Sequence, residues 1–222
     1  MNEVALIERW QKLCQHINLL AIPAAAQEPV KLLAVSKYTS IDAIRILFQA
    51  GQCDFAENYL QAALKKIAAL ADSPIIWHFI GSLQSNKCTV IAKHFSWVHS
   101  LTQSKHALLL AQAREHPTPL QICLQINFSH DQNKYGLLPE EAPALVETVL
   151  KCPALQLRGL MVLPKVGAVN DFAQLAKLRD QLEQRFSISL PTLSMGMSSD
   201  YAEAIAAGAT LVRIGSLLFQ NK

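Results

Sequence analysis

Three groups of residues in this 222-residue chain have the types that chemistry needs. The first is Lys37, at the end of the most apolar short run, Val30-Lys31-Leu32-Leu33-Ala34-Val35-Ser36. If its surroundings are partly dry, desolvation lowers the lysine pKa and exposes a neutral amine able to form a Schiff base. Taken alone, such a lysine is most often a strand-end residue reaching for solvent. The second group is Gly196-Met197-Ser198-Ser199-Asp200, which offers backbone N–H and hydroxyl donors just before a helical pattern. Asp200 and Glu203 have the spacing of an N-cap and its capping-box partner. The third is Arg213-Ile214-Gly215-Ser216, a cation followed by a glycine that allows close approach and a hydroxyl that can donate. Either of these two segments alone reads as an ordinary capped turn or a surface arginine. Together, on adjacent strands, they read as a phosphate cradle.

Eight elements must position these groups. Strand-like apolar runs fall at 31–36, 53–56, 75–80, 97–100, 120–127, 155–162, 192–195 and 210–214. Helical patterns lie at 40–50, 58–71, 84–95, 102–115, 139–151, 170–186 and 200–207, one between each pair of strands. An amphipathic helix near 2–21 precedes them, with Val4, Leu6, Ile7, Trp10, Leu13 and Cys14 on one side. Strict βα alternation predicts a parallel sheet with helices outside. Eight units without a linker predict a single (β/α)8 TIM barrel over residues 1–222 with an additional N-terminal helix. An open doubly wound sheet is the alternative, but no GxGxxG follows the first strand. In a barrel, working residues gather at the C-terminal ends of the strands. That rule collects Lys37, Glu57-Asn58, Gly81–Gln84, His99-Ser100, Asn127, Met161–Pro164 and the two phosphate-type loops on one rim.

Composition excludes several classes. Hydrophobic residues make up 51% of the chain against 17% charged, enough for a sizeable core. A net charge of +3 without any basic run argues against a nucleic-acid partner. No apolar stretch is long enough to span a membrane, and Met1-Asn2-Glu3 does not open a signal peptide, so a cytoplasmic protein is expected. Cys14, Cys53, Cys88, Cys123 and Cys152 contain no CxxC pair, and the seven histidines contain no HExxH, so no metal is expected.

Other candidates are weaker. Gln84-Ser85-Asn86-Lys87 is either a polar helix start or part of the rim. Asp131–Gly136 is a turn by composition, with Lys134 a solvated lysine near the mouth. Tyr38 and Tyr201 have acidic hydroxyls, but aromatic packing is the simpler role for each. A Schiff-base lysine facing a phosphate cradle suits a phosphorylated aldehyde or ketone, either a substrate, as in class I aldolases, or pyridoxal phosphate held as a cofactor.

Several longer motifs then narrow the choice. Leu33-Ala34-Val35-Ser36-Lys37, Phe55-Ala56-Glu57-Asn58-Tyr59, His78-Phe79-Ile80-Gly81-Ser82-Leu83-Gln84-Ser85-Asn86-Lys87, Arg158-Gly159-Leu160-Met161, Leu193-Ser194-Met195-Gly196-Met197-Ser198-Ser199-Asp200 and Val212-Arg213-Ile214-Gly215 resemble the pyridoxal phosphate homeostasis protein family over about residues 30–219. That family is similar to the barrel domain of alanine racemase standing alone, a fold-type III pyridoxal phosphate protein. The resemblance implies that Lys37 carries the cofactor as a Schiff base and that Asn58 sits beside its ring. It places Ser198, Ser199, Gly215 and Ser216 around the phosphate, and Arg213 either on the phosphate or facing the pyridine nitrogen. Ala56, Ser82, Ser199 and Gln220 depart from the family's usual residues without removing the lysine or the main donors.

Alanine racemase uses a second, β-rich domain to supply a catalytic tyrosine, and no such segment follows the eighth strand here. The expectation is therefore a monomeric cofactor-binding protein, with no catalytic residues of its own, that buffers pyridoxal phosphate or delivers it to apo-enzymes. The alternative is an amino-acid racemase or related enzyme whose second base comes from Tyr38, Lys134 or a partner.

Overall fold

Each of the eight apolar runs becomes a strand, because a run of Val, Leu, Ile and Phe is stable only where both faces of the sheet are covered. In a computed structural model, which describes residues 2–21, 29–129, 135–164, 168 and 170–219, the strands close into a parallel barrel in chain order. They are β1 (Lys31–Val35), β2 (Asp54–Glu57), β3 (Ile76–Phe79), β4 (Trp97–Leu101), β5 (Leu120–Ile126), β6 (Leu155–Val162), β7 (Thr192–Ser194) and β8 (Leu211–Ile214). The seam is the pairing of β1 with β8, in register from Lys31↔Leu211 to Ala34↔Ile214.

The helices run α1 (Glu3–Ala21), α2 (Ile41–Gln49), α3 (Leu60–Ala69), α4 (Cys88–His94), α5 (Ser104–Ala113), α6 (Ala142–Leu150), α7 (Asn170–Phe186), α8 (Tyr201–Ala206) and α9 (Ser216–Phe219). The short α9 escapes the sequence pattern because four residues show no periodicity. Most of the core lies between strands and helices, with Phe55, Phe79, Phe95 and Phe172 fully buried there. The barrel bore holds a separate apolar cluster of Leu33, Val35, Ala56 and Leu211, against which Ile80 packs.

The N-terminal helix buries Leu6, Leu13 and Ile17 rather than the face that begins at Val4. Val4 stands about 160° round the helix from Leu6 and is 62% exposed. This helix packs against α2, α8 and α9. Arg9 donates to the Leu218 carbonyl of α9 at 2.9 Å, and His16 Nδ1 lies 2.6 Å from the Tyr201 hydroxyl of α8. It therefore braces the two short helices that follow β7 and β8.

The bore also carries polar side chains where most barrels are filled by branched apolar residues. His78, His99, Ser194 and Arg213 are all buried in it. Burial holds the His99 imidazole well below the usual histidine value, and the neighbouring His78 and Arg213 charges act in the same direction. Burial lowers His78 too, partly opposed by its hydrogen bond and ion pair with Asp54. Among the described residues no cluster of His, Cys, Asp and Glu is placed to hold a metal ion, and no helix is long and apolar enough to cross a membrane.

Both rings thus resist protonation in the fold more than in the unfolded chain, where histidine titrates near pH 6.5. The unfolded state then binds more protons, so this stability is complete above about pH 6.5 and declines as pH falls below it. Urea unfolding should show stability falling as pH drops from about 7.5 to 5.5. A midpoint unchanged over that interval would contradict neutral buried histidines.

Candidate functional site

A cavity of about 730 Å³ opens at the C-terminal mouth of the barrel. Lys37, Asn58, Ser198, Ser199, Arg213, Gly215 and Ser216 all line it, so the structure brings the lysine, the asparagine and both donor segments to one place. Val35, Ile80, Met161 and Leu163 supply apolar wall. The size and mixed lining suit a small organic ligand with a few polar groups.

Lys37 leaves β1 in a tight turn closed by a hydrogen bond from Thr39 N–H to the Ser36 carbonyl, 2.9 Å. The turn holds Tyr38 at φ +64°, a conformation that residues with a Cβ adopt at some cost and that often marks a functional loop. Lys37 is exposed to the cavity mouth, not enclosed in a dry pocket. Tyr38 corrects an expectation: it is 85% exposed and not packed away. Its hydroxyl donates to that of Tyr59 at 3.2 Å, a bond that raises the Tyr38 phenol pKa.

The sequence did not reveal what holds these strand ends from behind. Glu57, fully buried, accepts from Ser36 Oγ at 2.6 Å and from Lys66 Nζ at 2.7 Å on the same Oε1. Lys66, itself only 8% exposed, also donates to the Ser36 carbonyl at 2.7 Å. One lysine from α3 thus ties the residue before Lys37 to the residue before Asn58. The available signal was a lysine in the apolar stripe of α3, two turns after Leu60 and one after Ala63, with a glutamate ending the preceding strand.

Asn58 lines the cavity, and its Oδ1 is buried without a partner among the described residues. Such an acceptor at a cavity wall is an unmet hydrogen-bonding need that a ligand can satisfy. Gly81 makes its position accessible, since a Cβ there would lie 2.0 Å from the Asn58 carbonyl oxygen.

The two phosphate-type loops lie side by side. Gly196 sits at φ +87°, and a Cβ on it would lie 2.6 Å from the Ala204 Cβ. The expected capping box at Asp200 and Glu203 does not form: Asp200 makes no side-chain cap to α8. Its carboxylate instead accepts from Met197 N–H at 2.6 Å, closing the turn that presents Ser198 and Ser199. Ser198 Oγ in turn accepts from Leu217 N–H of α9 at 3.4 Å, which joins the two loops. Gly215 lets β8 approach β1, with a Cβ there only 3.1 Å from the Val35 carbonyl oxygen.

Arg213 lies beneath these loops at 3% exposure. Its Nη1 donates to the Ser194 carbonyl and, at 2.9 Å, to Ser194 Oγ; Nη2 donates to the Val162 carbonyl at 2.8 Å. Burial pulls its pKa down to about 10, against the opposing pull of Asp200 and Cys123, so it stays cationic at neutral pH. Two weaker candidates fall away from the cavity, and a third is not among the described residues. Lys87 does not line it, Tyr201 is held by His16, and Lys134 lies outside the described residues.

An eight-stranded barrel with a lysine after β1 and donor loops after β7 and β8 defines a class, and a family model agrees. The alanine racemase N-terminal domain model matches residues 15–222, and the chain belongs to that family. Within it, the chain groups with the pyridoxal phosphate homeostasis proteins. The one from Pseudomonas aeruginosa is 50% identical over 204 residues, covering 90% of this chain and 88% of that protein. The one from Escherichia coli is 41% identical over 202 residues, covering 86% of each. Among solved structures, PipY of Synechococcus elongatus with PLP bound is 34% identical at a TM-score of 0.83, covering 97% of this chain and 100% of that one. Alanine racemase from Corynebacterium glutamicum, at 13% identity and TM-score 0.69, shares the fold over 61% of its length.

Two substitutions test the supports of the cavity. Lys66→Met leaves the Glu57 carboxylate buried and unpaired, and should cost about 3–5 kcal/mol in urea unfolding, much of it recovered in the double variant with Glu57→Gln. Gly196→Ala forces a Cβ into both a left-handed backbone and the Ala204 methyl. It should destabilise by about 1–3 kcal/mol in the same measurement.

Proposed function

We propose that this chain binds pyridoxal phosphate in the barrel-mouth cavity, attached covalently through Lys37, and holds the cofactor for supply to other enzymes. The observation that carries this reading is the shared cavity: an accessible lysine, a ring-sized apolar wall and two donor loops occupy one volume. When bound, pyridoxal phosphate supplies an aldehyde that condenses with amines and a ring that withdraws electrons. Lys37 provides the amine. Ser198, Ser199, Ser216 and the backbone at Gly215 provide donors for the phosphate, and the unpartnered Asn58 acceptor faces the ring.

Several features favour holding over turnover. Lys37 stands at an open mouth, where water is not excluded and a reactive intermediate is poorly protected. Tyr38, the natural candidate for a second acid–base group, has its phenol pKa raised by Tyr59, which opposes service as a base near neutral pH. A closed barrel has no free edge strand to pair with a second copy, which supports a monomer. Free thiols at Cys14, Cys53, Cys88, Cys123 and Cys152 suit a reducing cytoplasm. The recipients of the cofactor are apo-enzymes that use it.

Protein incubated with pyridoxal phosphate and desalted should absorb near 420 nm, roughly where lysine adducts of this cofactor do. Borohydride should fix the cofactor's mass on the peptide containing Lys37, and Lys37→Ala should lose both signals. A surviving band in that variant overturns the assignment. The loaded protein should also restore activity to a cofactor-stripped pyridoxal phosphate enzyme. Steady turnover of a free amino acid at about 1 s⁻¹ or faster would instead establish an enzyme.

A further inference from the structure

The bore of the barrel contains a continuous hydrogen-bonded chain that starts at Arg213 and leaves through the opposite mouth. Arg213 Nη1 lies 2.9 Å from Ser194 Oγ, and Ser194 Oγ lies 2.9 Å from His99 Nδ1. His99 Nε2 lies 2.8 Å from His78 Nδ1, and His78 Nε2 lies 2.9 Å from Asp54 Oδ1. The five residues come from β8, β7, β4, β3 and β2. Asp54 lines a second cavity with Lys31, Trp97, Thr192 and Leu211, all at or near the starts of strands, which places it at the N-terminal mouth.

The Asp54 carboxylate fixes the direction of every bond as long as both rings are neutral. An aspartate carboxylate only accepts, so the nitrogen facing it, His78 Nε2, must carry a proton. Burial of both rings favours their neutral forms, and in a neutral His78 the Nδ1 is a bare acceptor that receives the Nε2 proton of His99. His99 Nδ1 is left bare in turn and receives the hydroxyl proton of Ser194. With its proton committed there, Ser194 Oγ turns its lone pairs toward Arg213, which can only donate. With neutral rings the reverse order would set a bare His78 nitrogen against the Asp54 carboxylate, so a single arrangement of neutral rings satisfies the whole chain. Trp97 stacks on His78 with centroids 5.3 Å apart and planes 12° apart, which holds the ring plane that the sequence of bonds requires.

We propose that Asp54, His78, His99 and Ser194 form a relay of positioning residues that holds the Arg213 guanidinium in one orientation beneath the cavity. Arg213 has no carboxylate of its own in a direct ion pair among the described residues. The relay presents it with an oriented acceptor, anchored by a carboxylate on the far side of the bore. The remaining donors of the fork then point where the bound ligand needs them. Aligned hydrogen bonds polarise one another in a low-dielectric interior, so the anchor at one mouth is felt at the other. The effect on bound cofactor rests on the pyridoxal phosphate reading above; the order of the relay does not.

Nitrogen-15 NMR of the imidazoles in the cofactor-free protein tests the order directly. Both rings should be neutral at neutral pH with the proton on Nε2, and a proton on Nδ1 of either ring overturns the relay. The functional arm is a double-mutant cycle between Asp54→Asn and Arg213→Lys, scored by the rate of pyridoxal phosphate release. Asparagine keeps an acceptor but adds donors, so it no longer dictates direction, while lysine keeps the cation without the planar fork. Asp54→Asn should speed release roughly tenfold in the parent and leave it unchanged beside Arg213→Lys. Equal effects in both backgrounds, or none in either, overturn the proposal. Thermal melting checks that the variants fold; if Asp54→Asn does not, Ser194→Ala cuts the last link and takes its place in the cycle. If the parent protein takes up no pyridoxal phosphate, the proposed function fails while the NMR result still decides the relay.

Discussion

The pairing of the first strand with the last sets the geometry of the whole site. Lys37 and the Arg213–Ser216 segment stand near opposite ends of the chain, yet β1 and β8 run parallel in a register that matches Leu33 with Arg213 and Ala34 with Ile214. Parallel hydrogen bonding leaves both strands ending at the same mouth, one pitch apart. Gly215 tightens the join because it lacks the Cβ that would meet the Val35 carbonyl. A one-residue slip along this seam would turn Arg213 out of the bore and its apolar neighbours in. Burial on both faces opposes such a slip. The seam therefore holds the lysine, the arginine and the second donor loop in fixed relation.

Charge has been admitted to the interior at two points, and each is compensated differently. The Glu57–Lys66 pair is local: one ammonium and one carboxylate meet behind the cavity wall, and the same lysine reaches the Ser36 carbonyl. Such a pair contributes little net stability over an apolar substitute, but removing one member is costly. Its value is geometric, because it joins the ends of β1 and β2 just before Lys37 and Asn58. Arg213 is compensated at long range, by three acceptors and a relay of neutral rings. An arginine kept cationic, with donors left over after these three bonds, is suited to meeting a ligand atom that is unprotonated or anionic.

The helix that precedes the barrel has a comparable role. A (β/α)8 barrel is complete without α1, yet Arg9 and His16 reach the helices after β8 and β7. Both short helices begin at the donor loops, and neither is long enough to be stable without packing. The Arg9 and His16 contacts brace from outside the two donor loops that line the cavity. The same barrel in alanine racemase makes up only part of a longer chain. In the homeostasis proteins the match extends over nearly the full length.

The eight strands and all the helices but α9 were legible in the sequence because buried parallel strands read as unbroken apolar runs and helices as 3.6-residue stripes. From that alternation the barrel followed, and from the barrel the rim, where Lys37, Asn58, Ser198, Ser199, Arg213, Gly215 and Ser216 line one cavity. Local readings that depended on where a side chain turns were less secure. Asp200 has the spacing of a cap, but spacing does not say that its carboxylate turns back to Met197. Tyr38 reads as apolar bulk, but a left-handed turn throws it into solvent. The relay was illegible for a deeper reason. His78, His99, Ser194 and Asp54 each sit in a different strand, and only the closed bore brings them within hydrogen-bonding distance. The sequence alone determined the order of elements and the chemistry available at their ends, since both follow from local patterns. Tertiary structure alone decided which donors meet which acceptors, because those contacts arise from the seam, the bore and the pairing of residues far apart in the chain.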